Sequence, residues 1–260
     1  MDGCGPAKDR LALGSDTVGG LTDAERYAFD VQGFLVRAGV LSRDEVAALN
    51  EATDGLALAP PGATVASQRF RDHLHASPTF VALLDHPAVF DVVVELCGSG
   101  VRLDHAYGIV MAPGTDGLEL HGGARPFDPA QYYAVDADGI HCGLVAAQWA
   151  LVDHPTGAGG FVCIPGSHKA AYTTPDALPD GAVRDVSIAA GDVLIFTEAL
   201  THGTRRWKAP YERRTLLYKY SPGNSSWGKD EVLTPELAPM LTDRQRRLFE
   251  PPYVAYRRPV

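Results

Sequence analysis

Two histidines and one arginine are the residues of this chain whose types and spacing could do chemistry. His121 follows an apolar run and a Gly-rich turn, and His202 follows a second apolar run about 80 residues later. Arg213 comes eleven residues after His202. An imidazole can bind a metal ion or hold a turn inside the core, and a guanidinium matches a carboxylate with two parallel hydrogen bonds. For either histidine alone the structural role would be favoured, so both alternatives remain open at this point.

The elements that position these residues change character near residue 100. Before it, Thr22 with Glu25 and Ser42 with Glu45 read as helix caps, a strand is expected at 33–36, and a helical stretch at 79–96 is expected to break at Pro87. After it come short apolar or β-branched runs between Gly, Pro and Asp turns, at 101–103, 107–111, 144–152, 161–164, 193–196 and 215–220. Helices followed by many short strands predict a closed or two-sheet β structure with helices outside.

Length and composition limit the function classes. The 260 residues fit one large domain, and the net charge of −9, with no concentration of Lys and Arg, argues against a nucleic-acid partner. Apolar runs are far shorter than the roughly 20 residues that span a bilayer, so no membrane partner is expected. Four scattered cysteines and the absence of a leader-like N-terminal pattern predict a cytoplasmic protein with free thiols.

The expected domain organisation is simple. Residues 1–20 are predicted to be a flexible Gly-rich lead, and 21–260 a single domain. That domain would have a helical part to about 100, a barrel at about 101–222 and a C-terminal segment at about 223–260. Within the last segment, 248–253 could fold over the barrel mouth as a lid.

Several motifs, taken together, resemble one enzyme family. Besides the two histidines and Arg213, the chain has QWALVD at 148–153, GGF at 159–161 and IPGSHK at 164–169. In this order and spacing they resemble the phytanoyl-CoA dioxygenase-like family of iron(II)/2-oxoglutarate oxygenases, over residues 33–220. Each motif alone would be weak evidence.

The resemblance implies a mainly β fold with flanking helices, a double-stranded β-helix (jelly-roll or cupin-like) barrel. It implies that His121 and His202 bind iron(II), that Arg213 binds the distal carboxylate of the cosubstrate 2-oxoglutarate, and that Thr204 and Trp149 make further cosubstrate contacts. The expected reaction uses dioxygen (O2) to oxidise an unactivated C–H bond of a small-molecule substrate, as in hydroxylation, and releases succinate and CO2.

Arg214 competes with Arg213 for the carboxylate. Side chains alternate along a strand, so Arg213, Thr215 and Leu217 share one face while Arg214 and Leu216 share the other. Periodicity does not tell which face looks inward, and only the family spacing favours Arg213.

The chain departs from the family pattern at Gly123. The family usually has His-X-Asp, with the aspartate as third ligand, and here the third position has no side chain. One hypothesis is a two-histidine site with an open position, which resembles the non-haem iron halogenases, where chloride fills the vacancy. The other is a carboxylate from elsewhere. Glu198 is favoured over Asp128 and Glu119, because it sits in an apolar segment where an unpaired carboxylate would be costly.

Other residues have open roles. His141 could replace His121 as ligand, and His168 is expected to be a structural turn residue. Rival functions are a metal-binding barrel without 2-oxoglutarate chemistry and a non-catalytic small-molecule-binding barrel. Two sets could shape substrate binding, a possible aromatic wall of Tyr107, Tyr132 and Tyr133 and the local arginines Arg71, Arg125 and Arg205.

Overall fold

The computed structural model describes residues 20–59, 67–228 and 232–260. The expected N-terminal lead therefore lies outside the described residues, apart from Gly20. Cys97, Cys142 and Cys163 are buried free thiols, as expected for the part of the chain that is described.

The helices begin where the sequence predicts. Thr22 Oγ1 and Ser42 Oγ each accept a hydrogen bond from the backbone N–H three residues on, and both capping boxes are complete. Pro87 is the first residue of its helix, where a missing N–H costs nothing, so the predicted break at this proline is confirmed. The helices are α1 (Asp23–Gln32), α2 (Arg43–Asp54), α3 (Pro78–Val81), α4 (Pro87–Cys97) and α5 (Asp243–Leu248).

The strands form two main sheets and a hairpin within the described residues. They are β1 (Phe34–Arg37), β2 (Ser67–Phe70), β3 (Arg102–Met111), β4 (Tyr133–Asp136), β5 (Gly139–Cys142), β6 (Val145–Ala150), β7 (Gly160–Cys163), β8 (Arg184–Asp185), β9 (Val193–Thr197), β10 (His202–Arg205) and β11 (Arg213–Ser221). The large sheet has the antiparallel order β1-β9-β6-β11-β3-β2, the small sheet has the order β10-β7-β8, and β4 pairs with β5.

Each face of the large sheet has its own apolar core. One face packs against the helices, and this larger core includes Trp149, Leu216 and Tyr218. The opposite face packs against the small sheet through residues such as Phe161 and Phe196. A large sheet covered by helices on one side and by a small sheet on the other is the jelly-roll arrangement, and the predicted fold class is confirmed.

The C-terminal segment packs on the helical side. Leu248 and Phe249 are buried in the helix-side core, and the backbone N–H of Tyr253 donates to the carbonyl of Gly223. Leu248 and Phe249 are therefore not part of the conjectured lid, because they are buried on the helical side, whereas Pro251, Pro252 and Tyr253 are exposed. In the described part of the chain, no helix is both long and apolar enough to cross a membrane.

Candidate active site

A cavity of about 490 Å³ lies on the side of the large sheet that faces the small sheet. Its walls come from alternate residues of β3 and β11 and from Gln148 of β6, together with the turn before β10 and the segment around His121. Because the strands alternate, their inward side chains meet here while their outward side chains meet the helices. The cavity is thus the place where the candidate residues can converge.

His121 and His202 lie side by side in this cavity. The two residues form a β-bridge, in which the N–H of each donates to the carbonyl of the other over 2.8 Å and 2.9 Å. Their ring centroids are 4.3 Å apart. Two members of the proposed constellation that lie about 80 residues apart in the sequence are therefore brought together by backbone pairing.

Both imidazoles use Nδ1 for a backbone hydrogen bond, so Nε2 is the nitrogen of each ring that can bind a ligand. His121 Nδ1 lies 2.9 Å from the carbonyl oxygen of Glu119, and His202 Nδ1 lies 2.7 Å from that of Leu200. A carbonyl only accepts, so each Nδ1 must carry a proton, and in the neutral ring this leaves Nε2 as the bare acceptor. Burial also lowers the pKa of His202 to about 4, which keeps this ring neutral. Two unprotonated Nε2 atoms side by side can receive a cation.

Glu198 is the carboxylate that the structure brings to the histidines. Its Oε2 is 4.0 Å from His202 Nε2, and its Oε1 is 2.9 Å from Lys219 Nζ. Burial disfavours its charge, but the Lys219 ammonium holds the pKa of Glu198 below its usual range. Glu198 is therefore an ionised carboxylate, buried in the cavity wall.

The other two carboxylates considered from the sequence lie elsewhere. Asp128 accepts a hydrogen bond from the N–H of Ala130 in its own loop and does not line the cavity, and the Glu119 side chain is exposed. No group of three His, Cys, Asp or Glu side chains among the described residues is already arranged around a metal position. Neighbouring ligand atoms about 2.1 Å from one ion are about 3 Å apart, so Glu198 Oε2 would need to approach His202 Nε2 by about 1 Å to share an ion with it.

Arg213 faces into the cavity and is buried, and no carboxylate of the described residues pairs with it. Its Nη1 contacts Met111 Sδ at 3.3 Å, and its Nε has no hydrogen-bond partner among the described residues. Burial lowers the pKa of Arg213 to about 10. Arg214 points the other way and pairs with Asp54 and Glu212 at 2.8 Å and 2.9 Å. Of the two arginines, Arg213 is thus the one placed to meet an anion in the cavity.

Thr204 and Trp149, the two further candidates, differ in position. Thr204 lines the cavity, and its Oγ1 accepts a hydrogen bond from the N–H of Leu118. Trp149 lies on the helix-facing side of β6 and packs edge-on against His86, with 5.3 Å between ring centroids. The expected cosubstrate contact of Trp149 is therefore corrected. Its neighbour Gln148 lines the cavity instead, with a buried Nε2 that has no partner in the described part of the chain.

A side chain at position 123 would be strained in this backbone. The φ of Gly123 is +109°, and a Cβ built there would lie 2.8 Å from Thr201 Oγ1. L-residues with a side chain rarely adopt this conformation. The backbone at this position therefore disfavours the aspartate that the family motif usually has.

The remaining sequence candidates have structural partners. His141 lies on the hairpin, 2.9 Å from Asp136, away from the cavity. His168 is buried beside Asp30, with 3.0 Å between its Nε2 and the Asp30 carbonyl, as expected for a turn residue. Of the proposed aromatic wall only Tyr107 lines the cavity, since the Tyr133 hydroxyl donates to Asp30.

The family model described as phytanoyl-CoA dioxygenase (PhyH) matches residues 29–215, which is more than half of the chain. The chain belongs to the phytanoyl-CoA dioxygenase family. The resemblance inferred from the motifs is confirmed, and with it the enzyme class of iron- and 2-oxoglutarate-dependent oxygenases. None of the curated proteins matches the chain in sequence.

Solved structures support the fold of this family member. HygX from Streptomyces hygroscopicus, with nickel and 2-oxoglutarate bound, is 28% identical, with a TM-score of 0.71 over 84% of this chain and 94% of HygX. SnoK, an α-ketoglutarate-dependent carbocyclase from nogalamycin biosynthesis, is 20% identical, with a TM-score of 0.65 over 84% of this chain and 92% of SnoK. The epimerase SnoN from the same biosynthesis is 23% identical, with a TM-score of 0.58 over 76% and 82%. At these identities, SnoK and SnoN bear on the fold alone.

Three cavity residues of this family member were missed in the sequence. Lys219 and His105 face inward, opposite each other in the β11–β3 register, and Arg69 lies on the edge strand β2. Alternation from Arg213 and Tyr107 would have placed Lys219 and His105 on the cavity face, once the inward face was known. The polar strand β2 offered no apolar pattern from which to predict it.

Proposed function

We propose that this protein is an iron(II)- and 2-oxoglutarate-dependent oxygenase that oxidises an unactivated C–H bond of a small molecule, in a hydroxylation-type reaction. The proposal rests above all on the two bare Nε2 atoms of His121 and His202, side by side in one cavity. HygX, which is 27–28% identical, was solved with nickel and 2-oxoglutarate, and also with hygromycin B, so a small-molecule substrate is the natural expectation.

The donor set suits iron(II). His121 and His202 would bind it through Nε2, and Glu198 would supply the third, anionic ligand through Oε2. Imidazole and carboxylate are the ligand types of the facial triad in non-haem iron oxygenases. The carbonyls of Glu119 and Leu200 hold both rings in the required tautomer, which is the usual second layer of a histidine metal site.

Arg213 suits 2-oxoglutarate. A buried guanidinium without an acidic partner is costly, because its charge is removed from water and nothing compensates it. A carboxylate of the cosubstrate would supply that compensation with two parallel hydrogen bonds. Thr204 and Gln148 line the same cavity, and each has a polar group able to orient the remaining oxygens.

When bound, iron and 2-oxoglutarate would activate dioxygen for C–H oxidation, with release of succinate and CO2. The residues of the protein bind and orient the cosubstrate and the substrate, and they exclude water. Lys219 keeps Glu198 ionised and holds Oε1, so that Oε2 stays on the histidine side. Phe161 and Phe196 pack on the His202 ring, with centroids 5.7 Å and 4.8 Å away, and limit water near it.

Halogenation is the second candidate, and Gly123 is the observation that favours it. Without a side chain at this position, a two-histidine site would leave a place for chloride. We favour hydroxylation because Glu198 is close enough to fill that place, and because a second anion beside its carboxylate would be repelled.

The test is formation of succinate from 2-oxoglutarate under oxygen, with and without iron(II). A metal-binding barrel of other chemistry, or a non-catalytic barrel, would form no iron-dependent succinate. Parallel reactions with and without chloride, on substrates that accelerate succinate formation, are analysed by mass spectrometry. Hydroxylated product in both supports the proposal, and chloride-dependent chlorinated product would replace it with halogenation.

A further inference from the structure

We propose that Arg69 and Arg71 form a second anion-binding subsite at the mouth of the cavity, which takes a carboxylate or phosphate group of the substrate. The identity of this ligand as the substrate rests on the function proposed above. The subsite itself rests on the positions, stacking and charge balance of the two arginines.

Arg69 and Arg71 line the same cavity as Arg213. On the edge strand β2, Ser67 pairs with Met111, which pairs with Arg213, and Arg69 pairs with Ile109 one row along. Ser67, Arg69 and Arg71 are spaced by two residues, and all three line the cavity. The two arginines therefore share one wall with Arg213 but stand at the exposed rim, while Arg213 is buried.

Stacking on Tyr107 is the second argument. The guanidinium carbon of Arg69 lies 3.7 Å from the centroid of the buried Tyr107 ring. A guanidinium stacked on an aromatic face is held in one plane, while its N–H edges remain available for a planar anion. Arg69 is therefore preorganised for binding, in contrast to a freely rotating surface arginine.

Charge balance is the third argument. Among the cations that line the cavity, Lys219 is matched by Glu198, and the lining carboxylate Asp116 is matched by Arg206 at 3.3 Å. No acidic side chain of the described residues forms an ion pair with Arg69 or Arg71. In a chain of net charge −9, two arginines at a cavity mouth without an acidic partner among the described residues indicate a local preference for an anion.

The aromatic walls of the cavity define the rest of the ligand. Tyr107 and Trp227 flank the His105 ring, with 5.7 Å between centroids on each side, and all three line the cavity. Flat aromatic walls suit an apolar ring system. The substrate class is thus an organic acid or phosphate ester with a ring-shaped body, its anionic group at Arg69 and Arg71 and its reacting carbon towards the histidines.

A matched pair of fluorescent probes tests this subsite. Anilinonaphthalenesulfonate has a ring body with an anionic group, and N-phenylnaphthylamine has the same body without the charge. Both are titrated into protein loaded with nickel(II) and 2-oxoglutarate. Replacing both arginines by methionine is expected to weaken binding of the anionic probe by about tenfold or more and of the neutral probe by less than about twofold. Arg69→Lys keeps the positive charge but lacks the planar guanidinium. Its affinity for the anionic probe should lie between those of the wild type and the double variant.

The matched control is Arg205→Met. Arg205 is also an exposed strand arginine, but it pairs with Asp185 at 2.9 Å and does not line the cavity, so both probes should bind its variant as they bind the wild type. Equal weakening of both probes in the double variant, or unchanged binding of the anionic probe, would overturn the subsite. Nickel binding is measured on the same samples. Arginine-dependent binding of the anionic probe without nickel binding would therefore leave the subsite standing and refute the metal site.

Discussion

Lys219 and Glu198 form a buried ion pair, with 2.9 Å between Nζ and Oε1, in the wall of the cavity that holds the histidine pair. The second oxygen of Glu198 stays on the histidine side, 4.0 Å from His202 Nε2. One oxygen of the Glu198 carboxylate therefore contacts the Lys219 ammonium, and the other faces the proposed metal site. This relationship leads to the first two predictions.

Glu198→Gln should weaken nickel(II) or iron(II) binding by about 10- to 100-fold, because an amide oxygen is a poorer ligand and leaves Lys219 uncompensated beside the metal. Isothermal titration calorimetry measures the change. Asp128→Asn is the matched control, since that carboxylate caps its own loop, and it should bind metal like the wild type. Unchanged affinity in Glu198→Gln would remove Glu198 from the ligand set.

Lys219→Met tests the ion pair through the sign of its effect. If Lys219 positions Glu198 for the metal, its loss should weaken metal binding by about tenfold, and Lys219→Arg should retain most of the affinity. If the pair is only structural, removing a cation next to a metal site should strengthen binding, because a repulsion disappears. Metal affinities of the two variants, measured on folded protein, therefore give opposite answers for the two roles.

Arg213→Met should weaken 2-oxoglutarate binding by about 100-fold, which corresponds to two charge-assisted hydrogen bonds. Arg214→Met is the control, since its side chain pairs with Asp54 and Glu212 outside the cavity. That variant should lose at most about 1 kcal/mol of stability, because the pairs are partly exposed, and it should bind 2-oxoglutarate normally. The reverse pattern would assign the carboxylate to Arg214.

Gly123→Asp, which restores the family motif, should not strengthen metal binding. At φ +109° and with Thr201 Oγ1 2.8 Å from the new Cβ, the variant should instead lose about 1–3 kcal/mol of stability in denaturant unfolding. Gly139→Asp separates the two causes, because its φ is +130° but nothing lies near its Cβ. A Gly123→Asp protein with clearly tighter metal binding would show that the position faces the metal, as in the halogenase hypothesis.

Buried histidines should make stability fall in weak acid. Burial lowers the pKa of His73 to about 4, between Phe70 and Phe80. Above about pH 6.5, the pKa of a histidine in the unfolded chain, the His73 ring is neutral in both states and does not lower the free energy of unfolding. As pH falls towards 4, the unfolded chain binds the proton more readily, and up to roughly 3 kcal/mol is lost. His73→Gln should therefore flatten the decrease in unfolding free energy between pH 7 and pH 4.5. The same change at the exposed His75 should leave the decrease as it is.

Local signals in the sequence were sufficient for the helices and the family. Capping boxes at Thr22 and Ser42, and Pro87 at a helix start, depend on residues within one turn of each other. The spacing of His121, His202 and Arg213, with the turn motifs, indicated the family and the jelly-roll fold. Such signals can be read from sequence because each depends on a short stretch or on a fixed order along the chain.

Which side chains face the cavity was decided by packing. Alternation shows that Arg213 and Arg214, or Gln148 and Trp149, point to opposite sides of a strand, but the choice of side depends on what covers each face of the sheet. The preference for Glu198 over Asp128 and Glu119 likewise depends on the crossing that brings the end of β9 towards the histidines and to Lys219. The sequence shows that side chains alternate along a strand. Only contacts between distant segments decide which of the two alternate sets faces the cavity.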